Sequence, residues 1–234
     1  MTIVVAELGV NWEGDFELVK EMMEKSKKAG CDAVKFQAFN KETVGNNPLS
    51  VRLLKSAISP LNIEQIDSLA REIGIEWFCT PMYTEAVDFL NHYVSRFKIR
   101  EIDGRPLLKN ESTELFEKII KTGKEIFVSA FQSPKMCKFY DNKQIKWLYC
   151  VPKYPCSMED LDFSKLVDFD GYSNHCPQKI APLTAANLGA KIIEIHITSD
   201  TNKDFIDNIV SFDYSEQLEL CKNIRNCEKI KTSF

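Results

Sequence analysis

The sequence predicts an α/β protein folded as a single (β/α)8 TIM barrel over residues 1–234, with a stunted fifth helix. Three observations predict it. Strand-like and helix-like segments alternate along the whole chain, eight segments are strand-like, and no GxGxxG or GxxxxGK[ST] motif follows any of them to mark the nucleotide crevice of an open sheet.

The first strand is expected at 3–8, a short apolar, β-branched run. A helix follows at 16–29, where Leu18, Met22 and the Lys25-Ser26 pair keep a helical period, and Gly30 stops it before a second strand at 33–37. The stretch 40–60 reads as an irregular active-site loop inside that βα connection. A second amphipathic helix at 63–73, with Ile63, Ile66, Leu69, Ala70 and Ile73 in phase, ends at Gly74 and leads into a strand at 75–79. Next come a helix at 84–91, a strand at 96–99, a helix at 112–121 closed by Gly123, and a strand at 125–130. The fifth connection, 133–144, is short and contains Pro134, so its helix is expected to be stunted or absent. The chain then predicts a strand at 146–150, a helix at 158–167, a strand at 171–173, a helix at 179–188 backed by Gly189, a strand at 191–197 and a last helix at 214–227.

Composition narrows the function. With 44% hydrophobic and 27% charged residues the mixture is that of an ordinary globular protein, and 30 basic against 34 acidic residues give a formal charge of −4. No polybasic footprint for nucleic acid is present, and no uncharged apolar run approaches the roughly 18 residues that cross a bilayer. The N-terminus lacks a basic leader and reaches Glu7 within a few residues, so a cytoplasmic enzyme is expected. The eight cysteines (Cys31, Cys79, Cys137, Cys150, Cys156, Cys176, Cys221 and Cys227) form no CxxC pair and have no finger-like spacing with a histidine. They read as reduced structural thiols, with Cys79 and Cys150 as small buried hydrophobes.

A barrel's chemistry sits at the C-terminal ends of its strands. Those ends carry Glu7, Lys35 and Gln37, Thr80, Lys98, Ser129, Tyr154, Ser173 and His175, and Glu194 and His196. Lys35 and Gln37 are two apart and share a face, as do Ser173 and His175, and Glu194 and His196. One such lysine alone reads as a side chain reaching the rim, one serine as a helix cap, and a Glu7–Lys35 pair as a structural salt bridge. Together they describe a basic, hydrogen-bonding pocket for phosphate and carboxylate, beside two imidazoles suited to one divalent metal.

The segments Ala6-Glu7-Leu8-Gly9-Val10-Asn11-Trp12, Asp32-Ala33-Val34-Lys35-Phe36-Gln37, Phe78-Cys79-Thr80-Pro81, Gly171-Tyr172-Ser173-Asn174-His175 and Ile193-Glu194-Ile195-His196 resemble the sialic acid synthase family, which includes the N-acetylneuraminate, legionaminate and pseudaminate synthases. The likeness runs in order from Ile3 to about Asp207. It implies a barrel enzyme that condenses phosphoenolpyruvate with N-acetylmannosamine or a related amino sugar, and releases phosphate. It implies Mn²⁺, with Mg²⁺ or Co²⁺ as substitutes, on His175 and His196. Phosphoenolpyruvate would be held by Lys35, Thr80, Lys98, Ser129 and Ser173, and the sugar by Glu7, Gln37, Asp103, Tyr154 and Asp207, with Glu7 or Glu194 managing protons.

Three departures from the family pattern stand out. A phosphate-binding serine is replaced by Glu101, whose charge opposes phosphate unless it turns away or pairs with Arg100 or Arg105. A side chain that helps the anion site is replaced by Pro152. The family's C-terminal antifreeze-like domain, which lends an arginine to the partner subunit's sugar pocket, has no counterpart in these residues. A homodimer and a separate protein carrying that domain are both carried over as expectations. A silent or regulatory sugar-binding barrel, and another metal-dependent aldolase or hydrolase acting on a sugar phosphate, are the competing readings.

Overall fold

Eight short parallel strands pair in chain order and close on themselves: β1 (Ile3–Glu7), β2 (Ala33–Ala38), β3 (Glu76–Pro81), β4 (Arg96–Ile99), β5 (Glu125–Ala130), β6 (Ile145–Tyr149), β7 (Gly171–Ser173) and β8 (Ile192–His196). The (β/α)8 barrel is therefore as the sequence predicts. This computed structural model describes residues 1–230, so the last four residues of the predicted 1–234 domain lie outside the described residues. Among the described residues no helix is long and apolar enough to cross a membrane.

Strand pairing decides which side chains share the barrel interior. In register, Glu7 stands beside Lys35 and His196, Gln37 beside Thr80, and Ser173 beside Glu194. Residues opposite one another in a parallel ladder point to the same face. The N-terminal end of the interior is plugged by Arg96, which is ion-paired to Glu76 at 3.0 Å and to Glu125 at 3.2 Å. Its guanidinium lies over the rings of Phe78 and Phe127, which meet edge to face at 5.5 Å between centroids. Both rings are fully buried, and each contributes roughly 1.5–3 kcal/mol of hydrophobic stabilisation. This floor closes the barrel below the polar strand ends.

The helices form where periodicity and caps agree. α1 (Phe16–Ala29) is capped by Asp15, whose Oδ1 accepts from the amides of Glu17 and Leu18 at 2.9 and 3.1 Å; it buries Val19, Met22, Met23, Ser26 and Ala29 and ends at Gly30 with φ 97°. The predicted loop at 40–60 contains two short helices, α2 (Lys41–Val44) and α3 (Ser50–Ser56). They help build a second small apolar core in which Val10, Phe39 and Ala57 pack with Leu53, Met82 and Ile206. α4 (Ile63–Ile73) and α5 (Thr84–Leu90) follow the predicted pattern.

An unpredicted helix, α6 (Glu101–Leu108), starts directly after β4. Gly104 and Pro106 disguise it as a loop, yet two local ion pairs hold it: Arg100 with Asp103, Nε to Oδ2 at 2.6 Å, and Arg105 with Glu101, Nη2 to Oε2 at 2.8 Å. α7 (Glu114–Ile120) follows. No helix joins β5 to β6, in agreement with the irregular fifth unit. The helix predicted at 158–167 is replaced by two 3-10 turns, Met158–Asp160 and Phe163–Asp168. There the Asp160 and Asp162 carboxylates accept local backbone amides, a competing pattern that stops an α-helix from propagating. α8 (Ile180–Asn187) and α9 (Tyr214–Cys227) complete the ring, the latter opened by a reciprocal Asp213–Glu216 capping box.

Candidate active site

A cavity of about 410 Å³ opens at the C-terminal end of the barrel. Its polar wall holds Lys35, Gln37, Lys98, Ser129, Ser173 and Glu194, and its outer part holds Tyr154, His175, His196 and Asp207. Ten of the residues singled out from sequence therefore meet on one surface. Thr80 and Glu7 stand behind it, Thr80 accepting a hydrogen bond from Lys35 Nζ at 3.2 Å and Glu7 accepting one from Gln37 Nε2 at 2.8 Å. Asp103 does not reach the wall: its carboxylate is engaged by Arg100. It lies on the helix that begins at Glu101, whose Glu101, Ile102 and Arg105 do line the wall.

The inner site is a buried network of charges. Lys35 is ion-paired with Glu7 and lies 3.9 Å from Glu194 Oε1, and Lys98 Nζ donates to the same oxygen at 3.0 Å. Ser173 Oγ also donates to Glu194 Oε1, at 2.8 Å, while Glu194 Oε2 and Ser129 Oγ are buried with no hydrogen-bond partner among the described residues. Burial alone would push the Glu194 carboxyl upward. The ammonium groups of Lys35 and Lys98 outweigh it and hold Glu194 well below the ordinary 4.5. Burial opposes the charge on Lys35 too, and Glu194 and Glu7 override it, so the ammonium is held above 10.5. Unpartnered polar atoms in such a site cost stability unless a ligand meets them.

The two histidines are oriented from behind. His175 Nδ1 lies 3.0 Å from the Val151 carbonyl, an oxygen that can only accept, so this nitrogen carries the proton. His196 Nδ1 faces Asp207 Oδ2 at 3.3 Å, and the two rings stand 5.7 Å apart between centroids. Burial would raise the Asp207 carboxyl, but His196 and Tyr154 hold it below 3.8. Burial also lowers His175 from 6.5, keeping the imidazole neutral. Each ring thus has Nδ1 fixed by an acceptor and Nε2 left as the basic atom, the pattern of a metal-binding imidazole. Two imidazoles presented in this way are donors a divalent ion could share, and among the described residues no group of three His, Cys, Asp or Glu side chains is placed to hold one.

Several site residues were not legible in the sequence. Cys150 is buried, as expected, and also lines the cavity, with Sγ 3.8 and 3.9 Å from the two ring nitrogens of His175; burial pushes its thiol up to about 12, so it remains protonated. Near-equal distances to both nitrogens place the sulfur off the Nε2 lone-pair axis. The other cysteines are free, as expected. The apolar wall is made by Val10, Leu53, Met82 and Ile206, which come from separate connections after β1, β2, β3 and β8 and share the small second core. Asn11 has a positioning role: its Oδ1 accepts from the Asp207 amide at 2.9 Å and its Nδ2 donates to the Ile197 carbonyl at 3.0 Å. Glu101 and Pro152 both lie on the wall, and Glu101 is paired with Arg105.

The family model for the NeuB family matches residues 22–234. An uncharacterized protein of Methanocaldococcus jannaschii, MJ1065, is 32% identical over 98% of this chain and 72% of its own length. The N,N'-diacetyllegionaminic acid synthase of Legionella pneumophila is 30% identical over 97% of this chain and 72% of its own. Among solved structures, an N-acetylneuraminic acid synthetase from Leptospira borgpetersenii in complex with citrate has the same fold, with a TM-score of 0.85 at 24% identity, covering 97% of this chain and 84% of that one. Family match, sequence likeness and barrel agree, and the chain belongs to the NeuB family.

Proposed function

We propose that the protein condenses phosphoenolpyruvate with N-acetylmannosamine or a related amino sugar, in the presence of Mn²⁺ or a substitute such as Mg²⁺ or Co²⁺, to give a nonulosonic acid and inorganic phosphate. One observation carries the reading: two buried ammonium groups joined through Glu194 share a cavity with two imidazoles whose Nδ1 atoms are already engaged.

Lys35 and Lys98 would orient the carboxylate and phosphate of phosphoenolpyruvate, and Ser129 Oγ, without a protein partner, would add a hydrogen bond. Glu7 and Gln37 would hold the sugar hydroxyls, and the wall of Val10, Leu53, Met82 and Ile206 suits an acetamido methyl group. A divalent ion on His175 and His196 would polarise the sugar aldehyde as a Lewis acid. C3 of the enol then bonds to the aldehyde carbon, water adds to C2, and cleavage of the bond between C2 and the phosphate oxygen leaves the keto acid. Lys35 and Lys98 lower the proton affinity of Glu194 in the free protein, and a phosphate dianion beside them would raise it again, so Glu194 would take a proton from water once substrate is bound.

Incubating the protein with phosphoenolpyruvate, Mn²⁺ and a panel of amino sugars should give sugar-dependent phosphate release and a product longer by three carbons. No release across the panel would overturn the reading. Binding without turnover would favour a silent barrel, and a product lacking the new carbon bond would favour another aldolase or hydrolase. Gly9 offers a finer probe. It has φ 42°, and an added Cβ would lie 2.6 Å from Glu7 Oε1, 3.2 Å from Asp207 Oδ2 and 3.3 Å from Gln37 Nε2. Gly9→Ala is expected to lower kcat/KM for the sugar by about 100-fold, the scale of a misplaced binding group, and to change KM for phosphoenolpyruvate much less.

A further inference from the structure

We propose that Arg105 is a phosphoryl-binding residue of this cavity and that Glu101 is the positioning residue that holds its guanidinium there. The proposal rests on the reading above, that a phosphorylated substrate enters the cavity.

Donor supply makes the case. Lys35 and Lys98 are already engaged by the buried carboxylates of Glu7 and Glu194, so a phosphate and a carboxylate together need further N–H donors from the wall. The next cations on the wall are Arg100 and Arg105. Both spend Nε and Nη2 on a nearby carboxylate, Arg100 on Asp103 and Arg105 on Glu101, and Arg105 is the one that adjoins Gly104, which packs on β5 at Ser129. Arg105 Nε lies 3.0 Å from each oxygen of Glu101, and Nη2 lies 2.8 Å from Oε2, so one edge of the guanidinium is clamped. A guanidinium has five N–H donors in a planar fork, which leaves the Nη1 pair and one Nη2 hydrogen for an oxyanion.

A second observation is the packing beside Arg105. The residue before it, Gly104, packs so close to β5 that an added Cβ would lie 2.8 Å from the Ser129 carbonyl oxygen. That contact sets the second turn of α6 against the strand end where Ser129 Oγ is buried without a partner. The first turn of α6 has no side-chain cap, so its amides add partial positive charge at the same end of β4. Glu101 would repel phosphate if it were free. Held four residues from Arg105 on one helix face, it cancels its own charge and fixes the fork, which a serine could not do.

The phosphoryl group could belong to phosphoenolpyruvate or to a phosphorylated acceptor sugar, and calorimetry with phosphoenolpyruvate, inorganic phosphate and N-acetylmannosamine 6-phosphate separates them. Arg105→Gln is expected to weaken phosphoenolpyruvate binding and raise its KM about 10–100-fold with kcat changed less than about threefold, the scale of a lost charge-assisted bidentate contact. Arg105→Lys should recover part of the loss, and Glu101→Gln should raise KM by a smaller factor. If Arg105→Gln weakens only the sugar phosphate, the residue binds the acceptor's phosphoryl group and the proposal holds for that source. Unchanged affinities for all three ligands would overturn it, even in an active synthase. So would a Glu101→Gln/Arg105→Gln double variant with wild-type affinity, because the single loss would then reflect only the unmasked Glu101 charge. Arg105-dependent binding in a protein that releases no phosphate with any sugar would sustain the inference while sinking the turnover reading. A wild type that binds none of the three ligands overturns both.

Discussion

Glu194→Gln lowers kcat for sugar-dependent phosphate release by about 10²–10⁴-fold and does not raise KM for phosphoenolpyruvate; this is the expected result of steady-state assays with either substrate varied. The variant is nearly isosteric, and its amide oxygen can still accept from Lys98 Nζ and Ser173 Oγ, which lie 3.0 and 2.8 Å from Glu194 Oε1. What it removes is the negative charge that holds the two ammonium groups and that would take a proton from water. Losing a carboxylate from the anion site reduces repulsion toward phosphoenolpyruvate, so binding should hold or tighten while chemistry slows. A purely structural Glu194 predicts the opposite split, with KM raised through a displaced Lys98 and kcat within tenfold of wild type. Thermal unfolding serves as the control, since removing one member of a buried ion pair costs about 3–5 kcal/mol when nothing replaces it. The retained amide oxygen should keep the variant's loss below that range.

The barrel was legible because its signals are local. Each strand is a short apolar run with a polar residue near its end, and the two-residue spacing of Lys35 with Gln37 and of Glu194 with His196 already puts each pair on one face. Strand register then brings those faces together, and Glu7 meets both Lys35 and His196 without any further information. The parts that were not legible depend on distant packing. Val10, Leu53, Met82 and Ile206 share no period and meet only because two short helices fold the 40–60 stretch over the barrel mouth. Arg96 looks like a surface residue until Glu76 and Glu125 are seen to face it beneath the Phe78 and Phe127 rings. α6 was hidden by Gly104 and Pro106, both ordinarily helix breakers, and with it the fact that Asp103 turns to Arg100. Glu101 illustrates the same limit: its charge was plain, but only the helix placed Arg105 where it could be neutralised.

Gly171→Ala tests the barrel itself, and it should be the most damaging single methyl in the chain's strand layer. Gly171 opens β7 and stands in register between Leu148 of β6 and Ile192 of β8. An added Cβ would lie 2.3 Å from the Ile192 carbonyl oxygen, 2.7 Å from Ile192 Cβ and 2.8 Å from Leu148 Cδ2. Two of those atoms belong to the backbone or root of a neighbouring strand and cannot rotate away, so the strands must part and lose ladder hydrogen bonds. Overpacking of this kind costs about 3 kcal/mol or more, which for a chain of this size lowers Tm by about 6–12 °C in thermal unfolding followed by circular dichroism. Leu148→Ala in the same background relieves only the third contact and creates a cavity in the wall, so it should not restore Tm. Ser173 and His175 lie two and four residues beyond the clash, and a displaced β7 carries the Ser173–Glu194 hydrogen bond with it. Any folded fraction of Gly171→Ala should therefore have lower activity per folded molecule than wild type, and a variant that melts within 2 °C of wild type, on the scale of about half a kcal/mol, would show that β7 has slack the close contacts deny.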